Sequence, residues 1–248
     1  MDSLASRAVT GLQVTDMSKR FDGREALSRV SFTLARGEIA ALIGPNGSGK
    51  TTLYNILTAL EQPDSGVIVL DGQDITRLPG FGRGRLGLGY LPQAPSVFRG
   101  LNVRDNLALV LEPRLPGRRQ RAARLRTLLE QFELTELSEA MPSALSGGQV
   151  RRCEIARALA SEPRYLLLDE PFVGLDPIRI ADLSRMLVRL ARSGIGILLT
   201  DHNIRAALAI ADRVIVLSNG TILGHGSPES VLADAGLRSA FLAPDFAL

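Results

Sequence analysis

The 248-residue chain has no tryptophan, one cysteine and almost no lysine. Cys153 has no second thiol to pair with, so no internal disulfide supports the fold. No stretch approaches the roughly 18 to 20 uninterrupted apolar residues that a membrane-crossing helix needs. Even the run from Ala206 to Leu217 is broken by Asp212 and Arg213. Met1 to Thr10 carries one arginine and no apolar segment, so no secretory signal is expected there and the expected location is the cytoplasm. Of 29 basic residues only Lys19 and Lys50 are lysines, and the net charge is a modest +3.

That scarcity makes Lys50 informative. It closes Gly44-Pro45-Asn46-Gly47-Ser48-Gly49-Lys50-Thr51, which fits G-x-x-x-x-G-K-[ST]. The motif follows the apolar run Ile39 to Ile43 and opens a helix expected from Lys50 to Leu60, the strand–loop–helix setting of a phosphate-binding loop. Glycines let backbone N–H groups of about Gly47 to Thr52 turn inward on phosphate oxygens, and the helix N-terminus adds positive potential. Between phosphates the loop needs a compact ammonium, where a planar guanidinium fits poorly. Lys50 is therefore expected on the β- and γ-phosphates, and the Thr51 hydroxyl on Mg²⁺.

Residues 9 to 38 alternate apolar and polar, as in Val30, Phe32 and Leu34, and predict antiparallel strands. Ile39–Ile43, Tyr165–Leu168, Ile195–Thr200 and Val214–Leu217 are continuous apolar runs separated by helical stretches, the pattern of parallel strands buried on both faces. From Asn102 to Ala144 the spacing is helical, with Pro113, Pro116, Gly117 and Pro142 as punctuation. Arg114, Arg118, Arg119, Arg121, Arg124 and Arg126 lie there largely off the stripe Leu125, Leu128 or Leu129, and Phe132. They read as a solvated helix face, and no nucleic acid is expected. Gly220–Gly226 reads as a hairpin strand and Pro228–Asp234 as a helix. Gly82-Arg83-Gly84-Arg85-Leu86-Gly87 fits the dinucleotide pattern G-x-G-x-x-G, but no strand precedes it and no helix pattern follows, so it is rejected. Cys153 reads as a packing residue.

Asp169 ends a buried strand, where a carboxylate is costly without a cation or hydrogen bonds, which suits a role at Mg²⁺. With Leu145-Ser146-Gly147-Gly148-Gln149 and Leu166-Leu167-Leu168-Asp169-Glu170-Pro171, the chain resembles the ATP-binding-cassette ATPases over roughly residues 9 to 235. The resemblance implies an α/β P-loop NTPase core with a mainly parallel sheet, an antiparallel β subdomain and an inserted helical subdomain at about 94–145. The whole of 1–248 is then one nucleotide-binding domain with a tail at about 237–248. It implies that Glu170 polarises the attacking water, that His202 contacts the γ-phosphate, and that Gln93 links Mg²⁺ and that water to a membrane partner. Phe21 stands where the family stacks an aromatic on adenine. Ser146, Gly147, Gly148 and Gln149 would complete the site of an opposing subunit, and Asp176 lies in the loop that communicates across that interface. One chain carries one motif set, so two such sites imply a homodimer.

Finer matches concern cargo. Gly89 to Gln93 with Ser96 to Arg99, Glu170-Pro171-Phe172, Gly174 to Ile178, Thr200 to Asn203 and the tail Leu242 to Leu248 resemble the ATPases of lipopolysaccharide exporters. Gln149-Val150 departs from the acidic–basic pair usual there. That resemblance implies two integral membrane subunits docking near Gln93 to Phe98, on the cytoplasmic face of the inner membrane. The alternatives are the ATPase of a branched-chain amino-acid importer and, more distantly, a soluble ABC ATPase without a transport role.

Overall fold

Successive residues of the central strands enter different cores. In the computed structural model, which describes residues 10–241, Ile39, Ala41 and Ile43 pack with one apolar cluster, and Ala40 and Leu42 with another. Leu166 and Leu168 likewise part from Tyr165 and Leu167. A strand covered on both faces has no polar face to show, which is why these segments read as unbroken apolar runs.

The first elements are β1 (Leu12–Phe21), β2 (Arg24–Leu34) and β3 (Ile39–Ile43), then α1 (Lys50–Leu57), β4 (Ser65–Leu70), β5 (Gln73–Asp74), α2 (Gly80–Arg85) and β6 (Leu88–Leu91). The helical segment follows with α3 (Val103–Leu111), α4 (Arg118–Gln131) and two 3₁₀ turns, and α5 is Gly147–Ala160. The chain continues through β7 (Tyr165–Asp169), α6 (Pro177–Arg192), β8 (Gly196–Thr200), α7 (Ile204–Ile210), β9 (Arg213–Ser218), β10 (Thr221–Gly226), α8 (Pro228–Ala233) and α9 (Ala235–Ser239). Six strands form one sheet in the order β10-β9-β3-β8-β7-β6, parallel except for the β9–β10 hairpin. A second, antiparallel sheet has the order β2-β1-β4-β5. The expected fold class is the one observed, and β4, β5 and β6 are additions to the strands expected from sequence.

Several expected boundaries move. The helix expected from Lys50 to Leu60 stops at Leu57, where Ala59 turns to φ +63° and Leu60 N donates back to Asn55 O at 2.8 Å. Arg83, only 1% exposed, donates to the carbonyls of Ile56 and Leu57, and also to Thr76 O and Leu78 O. Burial pushes its guanidinium down to about 10, so it remains charged at neutral pH, at the negative end of α1. The glycine-rich stretch rejected as a dinucleotide loop is thus itself a short helix that anchors the phosphate-loop helix. The helix after the signature, α5, begins at Gly147 and is capped by Ser146. In the expected tail, Leu237 to Ser239 belong to α9, while Leu242 to Leu248 lie outside the described residues. No helix among the described residues is long and apolar enough to cross a membrane.

Asp71 ties the two sheets together. It accepts from Gly11 N, Arg36 Nη2, Arg164 Nη1 and the Tyr165 hydroxyl at 2.7 to 3.1 Å. Burial opposes ionisation, but the bonds from Arg36, Tyr165 and Arg164 outweigh it and hold the carboxyl at about 2, below its usual 3.8. A depressed carboxyl contributes stability that is complete above pH 3.8 and lost as pH falls through about 2. Asp71→Asn is expected to cost about 1 to 2 kcal/mol at neutral pH, allowing for the solvent around both arginines. In urea titrations the gap to the parent should close across that acid window, and a gap constant with pH would refute the charge-based account.

Candidate active site

The C-terminal ends of parallel strands collect ligands in α/β folds, and four segments converge there. The 44–51 loop follows β3, Gln93 follows β6, Asp169 and Glu170 end or follow β7, and His202 follows β8. The loop is threaded through tight space. A methyl on Gly44 would meet Leu217 O at 1.9 Å, and one on Gly49, at φ +107°, would meet Ala26 O at 2.6 Å.

Lys50 Nζ donates to Gly44 O at 2.7 Å and Pro45 O at 2.9 Å. Its pKa is lowered by burial, against the pull of Glu170 and Asp169. The Ser48 hydroxyl is buried in the loop with no hydrogen-bond partner among the described residues. An ammonium folded on loop carbonyls and an orphaned hydroxyl both suit a loop shaped to receive a polyphosphate.

The three expected catalytic residues meet. Glu170 Oε2 accepts from Gln93 Nε2 at 2.7 Å, and Glu170 Oε1 lies 2.9 Å from His202 Nε2. Glu170 takes φ 49°, rare for a residue with a side chain. Its N–H donates to Thr200 O at 2.9 Å, and Thr200 Oγ1 donates to Asp169 Oδ1 at 2.7 Å. Tyr54, fully buried in α1, donates to Leu198 O at 2.9 Å and Leu168 O at 3.2 Å, tying the phosphate-loop helix to β7 and β8.

Sequence reasoning passed over Arg151 and Glu154. Arg151 reaches from α5 to the carbonyls of Pro92, Asp169, Glu170 and Pro171 and to Glu154 Oε2 at 3.1 Å. Glu154 accepts from the Ser96 N–H, and Arg157 donates to Ser96 Oγ at 2.7 Å. The signal was present as charges three apart at 151, 154 and 157, a single helix face. Cys153 is buried, as expected of a packing residue, and burial pushes its thiol up to about 11.

Other expected residues have different bonding partners, although Gly147 of the signature lines one cavity with Gln93 and Glu170. Phe21 is 42% exposed at the end of β1, with Lys19 Nζ 5.0 Å from its ring centre. Ser146 and Gln149 form a capping box on α5, and Ser146 Oγ also accepts from Arg179 Nη1 at 3.0 Å. Asp176 caps α6 and pairs with Arg179. Among the described residues, Ser146, Gln149, Asp176 and Arg179 bond one another rather than the 44–52 loop, and Val173 (52%) and Ile178 (75%) stand exposed beside them.

The sequence pattern of ABC transporters matches residues 27–173, more than half of the chain. The chain belongs to the ABC transporter family. As a member it is an ATP-binding ATPase subunit of that family. It is 44% identical to the lipopolysaccharide export system ATP-binding protein LptB of Escherichia coli over 96% of this chain and 99% of that one. It is 46% identical to a probable ABC transporter ATP-binding protein of Azorhizobium caulinodans, over 100% and 88% of the two chains. Among solved structures, the ADP conformation of the cassette MJ1267 matches with a TM-score of 0.83 at 28% identity, covering 93% of this chain and 97% of that one. A dimeric post-hydrolysis state of the cassette MJ0796, bound to ADP and Pi, matches with a TM-score of 0.78 at 27% identity, over 88% and 98%.

Proposed function

We propose that this ABC ATPase powers extraction of lipopolysaccharide from the inner membrane for export, working as a homodimer beneath two integral membrane subunits on the cytoplasmic face. The likeness to LptB along nearly the whole of both chains carries the cargo assignment. The convergence of Gln93, Glu170 and His202 beside the phosphate loop supports the chemistry.

In this reading Lys50 leaves the Gly44 and Pro45 carbonyls for the β- and γ-phosphates. Glu170 takes the proton of a water as its oxygen bonds the γ-phosphorus and the bond to ADP breaks, while His202 holds a γ-oxygen. Thr51, Gln93 and Asp169 offer hard oxygen donors suited to Mg²⁺, which is usually shared with phosphate oxygens and water. Bound there, Mg²⁺ supplies charge neutralisation at the β- and γ-phosphates. Phe21 stacks on adenine. Ser146, Gly147, Gly148, Gln149 and Asp176 act across the dimer, where the exposed Val173 and Ile178 gain cover.

Phe98 is the proposed anchor for the membrane subunits. It is 48% exposed, with Arg157 5.0 Å from its ring centre. The fully buried Asn106 clamps its main chain, accepting from Phe98 N at 2.8 Å and donating to Phe98 O at 3.1 Å. A rigidly presented aromatic is a common interface hot spot worth about 2 kcal/mol or more. In proteoliposomes holding the subunit with its native membrane partners, ATP-dependent release of lipopolysaccharide is expected. Phe98→Ala should reduce both co-purification and release while the isolated subunit keeps its melting temperature and ATP affinity. An assembled complex that hydrolyses ATP without releasing lipopolysaccharide would overturn the cargo, and unimpaired assembly of the variant would overturn the anchor.

A further inference from the structure

We propose that Arg179 is a positioning residue for the signature serine. It fixes the Ser146 hydroxyl as a hydrogen-bond donor directed out of the chain, toward a phosphate oxygen of the nucleotide held by a second copy. This rests on the shared-site reading above.

A serine hydroxyl has one proton to give and two lone pairs to fill. In Ser146 both lone pairs are approached from within the chain, by Arg179 Nη1 at 3.0 Å and by Gln149 N at 3.4 Å. Only the proton is left to place, and Ser146 is exposed, so the group offers a donor to whatever covers it. A phosphate oxygen, which only accepts, is the complement.

Arg179 is itself held in position. Asp176 Oδ1 accepts from the N–H groups of Ile178 and Arg179 at 3.0 Å each, and Asp176 Oδ2 pairs with Arg179 Nε at 2.8 Å. The guanidinium lies against the first turn of α5, where a methyl on Gly148 would come within 2.3 Å of Nη1. The glycine therefore makes room for the arginine. A charged donor on the serine oxygen also polarises its O–H bond, and hydrogen bonds in such a chain strengthen one another. Asp176 thereby acts on Ser146 through Arg179.

The test uses the full chain in a Glu170→Gln background, with the ATP-driven dimer measured by light scattering across an ATP–Mg²⁺ titration. Arg179→Met should raise the ATP needed for half-dimerisation by about tenfold or more, the scale of a lost hydrogen bond to a charged group. The melting temperature, and ATP affinity measured at protein concentrations too low for dimerisation, should stay unchanged. With Ser146→Ala also present, Arg179→Met should add less than about twofold, because the proposed effect passes through that hydroxyl. Unchanged dimerisation, a fall in monomer affinity or stability that accounts for the loss, or full additivity with Ser146→Ala would each overturn the inference alone. A Glu170→Gln parent that never dimerises with ATP would take the shared-site reading down with it.

Discussion

Glu170→Gln should leave ATP binding intact and slow hydrolysis by the roughly 10² to 10⁴-fold typical of a lost general base, or more. The substitution keeps the side chain's length and planarity. Its amide oxygen still accepts from Gln93, which now bonds one carboxylate oxygen at 2.7 Å, and its amide nitrogen can donate toward His202. The unusual backbone at 170 is supported by Thr200 O and Arg151, contacts that do not involve the carboxylate. What disappears is the capacity to accept a proton from water. ATP should accumulate uncleaved and hold subunits together, visible as a dimer by light scattering. Turnover near that of the parent would remove Glu170 from the role of base.

Mixing a Lys50→Ala chain with a Ser146→Arg chain should restore hydrolysis that neither shows alone. In the proposed dimer each site takes its phosphate loop from one subunit and its signature from the other. A heterodimer therefore places both lesions in one site and leaves the second whole. Each homodimer has two damaged sites, so the contrast should be large, with mixed protein recovering activity as the heterodimer fraction rises. Arginine at 146 introduces bulk and charge where Arg179 already lies 3.0 Å from Ser146 Oγ, so the signature lesion should be severe. Persistent inactivity despite a demonstrated heterodimer would count against the shared arrangement.

Legibility in the sequence followed physical cause. The phosphate loop was readable because its glycines and lysine answer a local requirement, and β3, β7, β8 and β9 because burial on two faces leaves a continuous apolar record. The grouping of Gln93, Glu170 and His202 was accessible only through family resemblance, since three separate strands bring them together. α2 was hidden because its glycines weaken helical propensity and its buried member is an arginine. Nothing local shows that Arg83 will find four carbonyls from residues 56 to 78. Arg151 was passed over for a similar reason, since a charged residue beside a signature reads as surface until the carbonyls around it are seen.

The helix α5 has 14 residues, a rod of about 21 Å. Its cap is the serine proposed to meet the other subunit's nucleotide. One turn in, Arg151 grips the main chain that seats its own subunit's Glu170, and further along Glu154 and Arg157 hold the loop bearing Phe98. In the proposed two-fold dimer this wiring would run from each subunit's nucleotide to the Glu170 backbone of its partner, and coupling between the two sites is the expected result. On that reading ATP is expected to act as a homotropic effector of its own hydrolysis, and a push on the loop at 96–98 is expected to reach both sites as a single cooperative event.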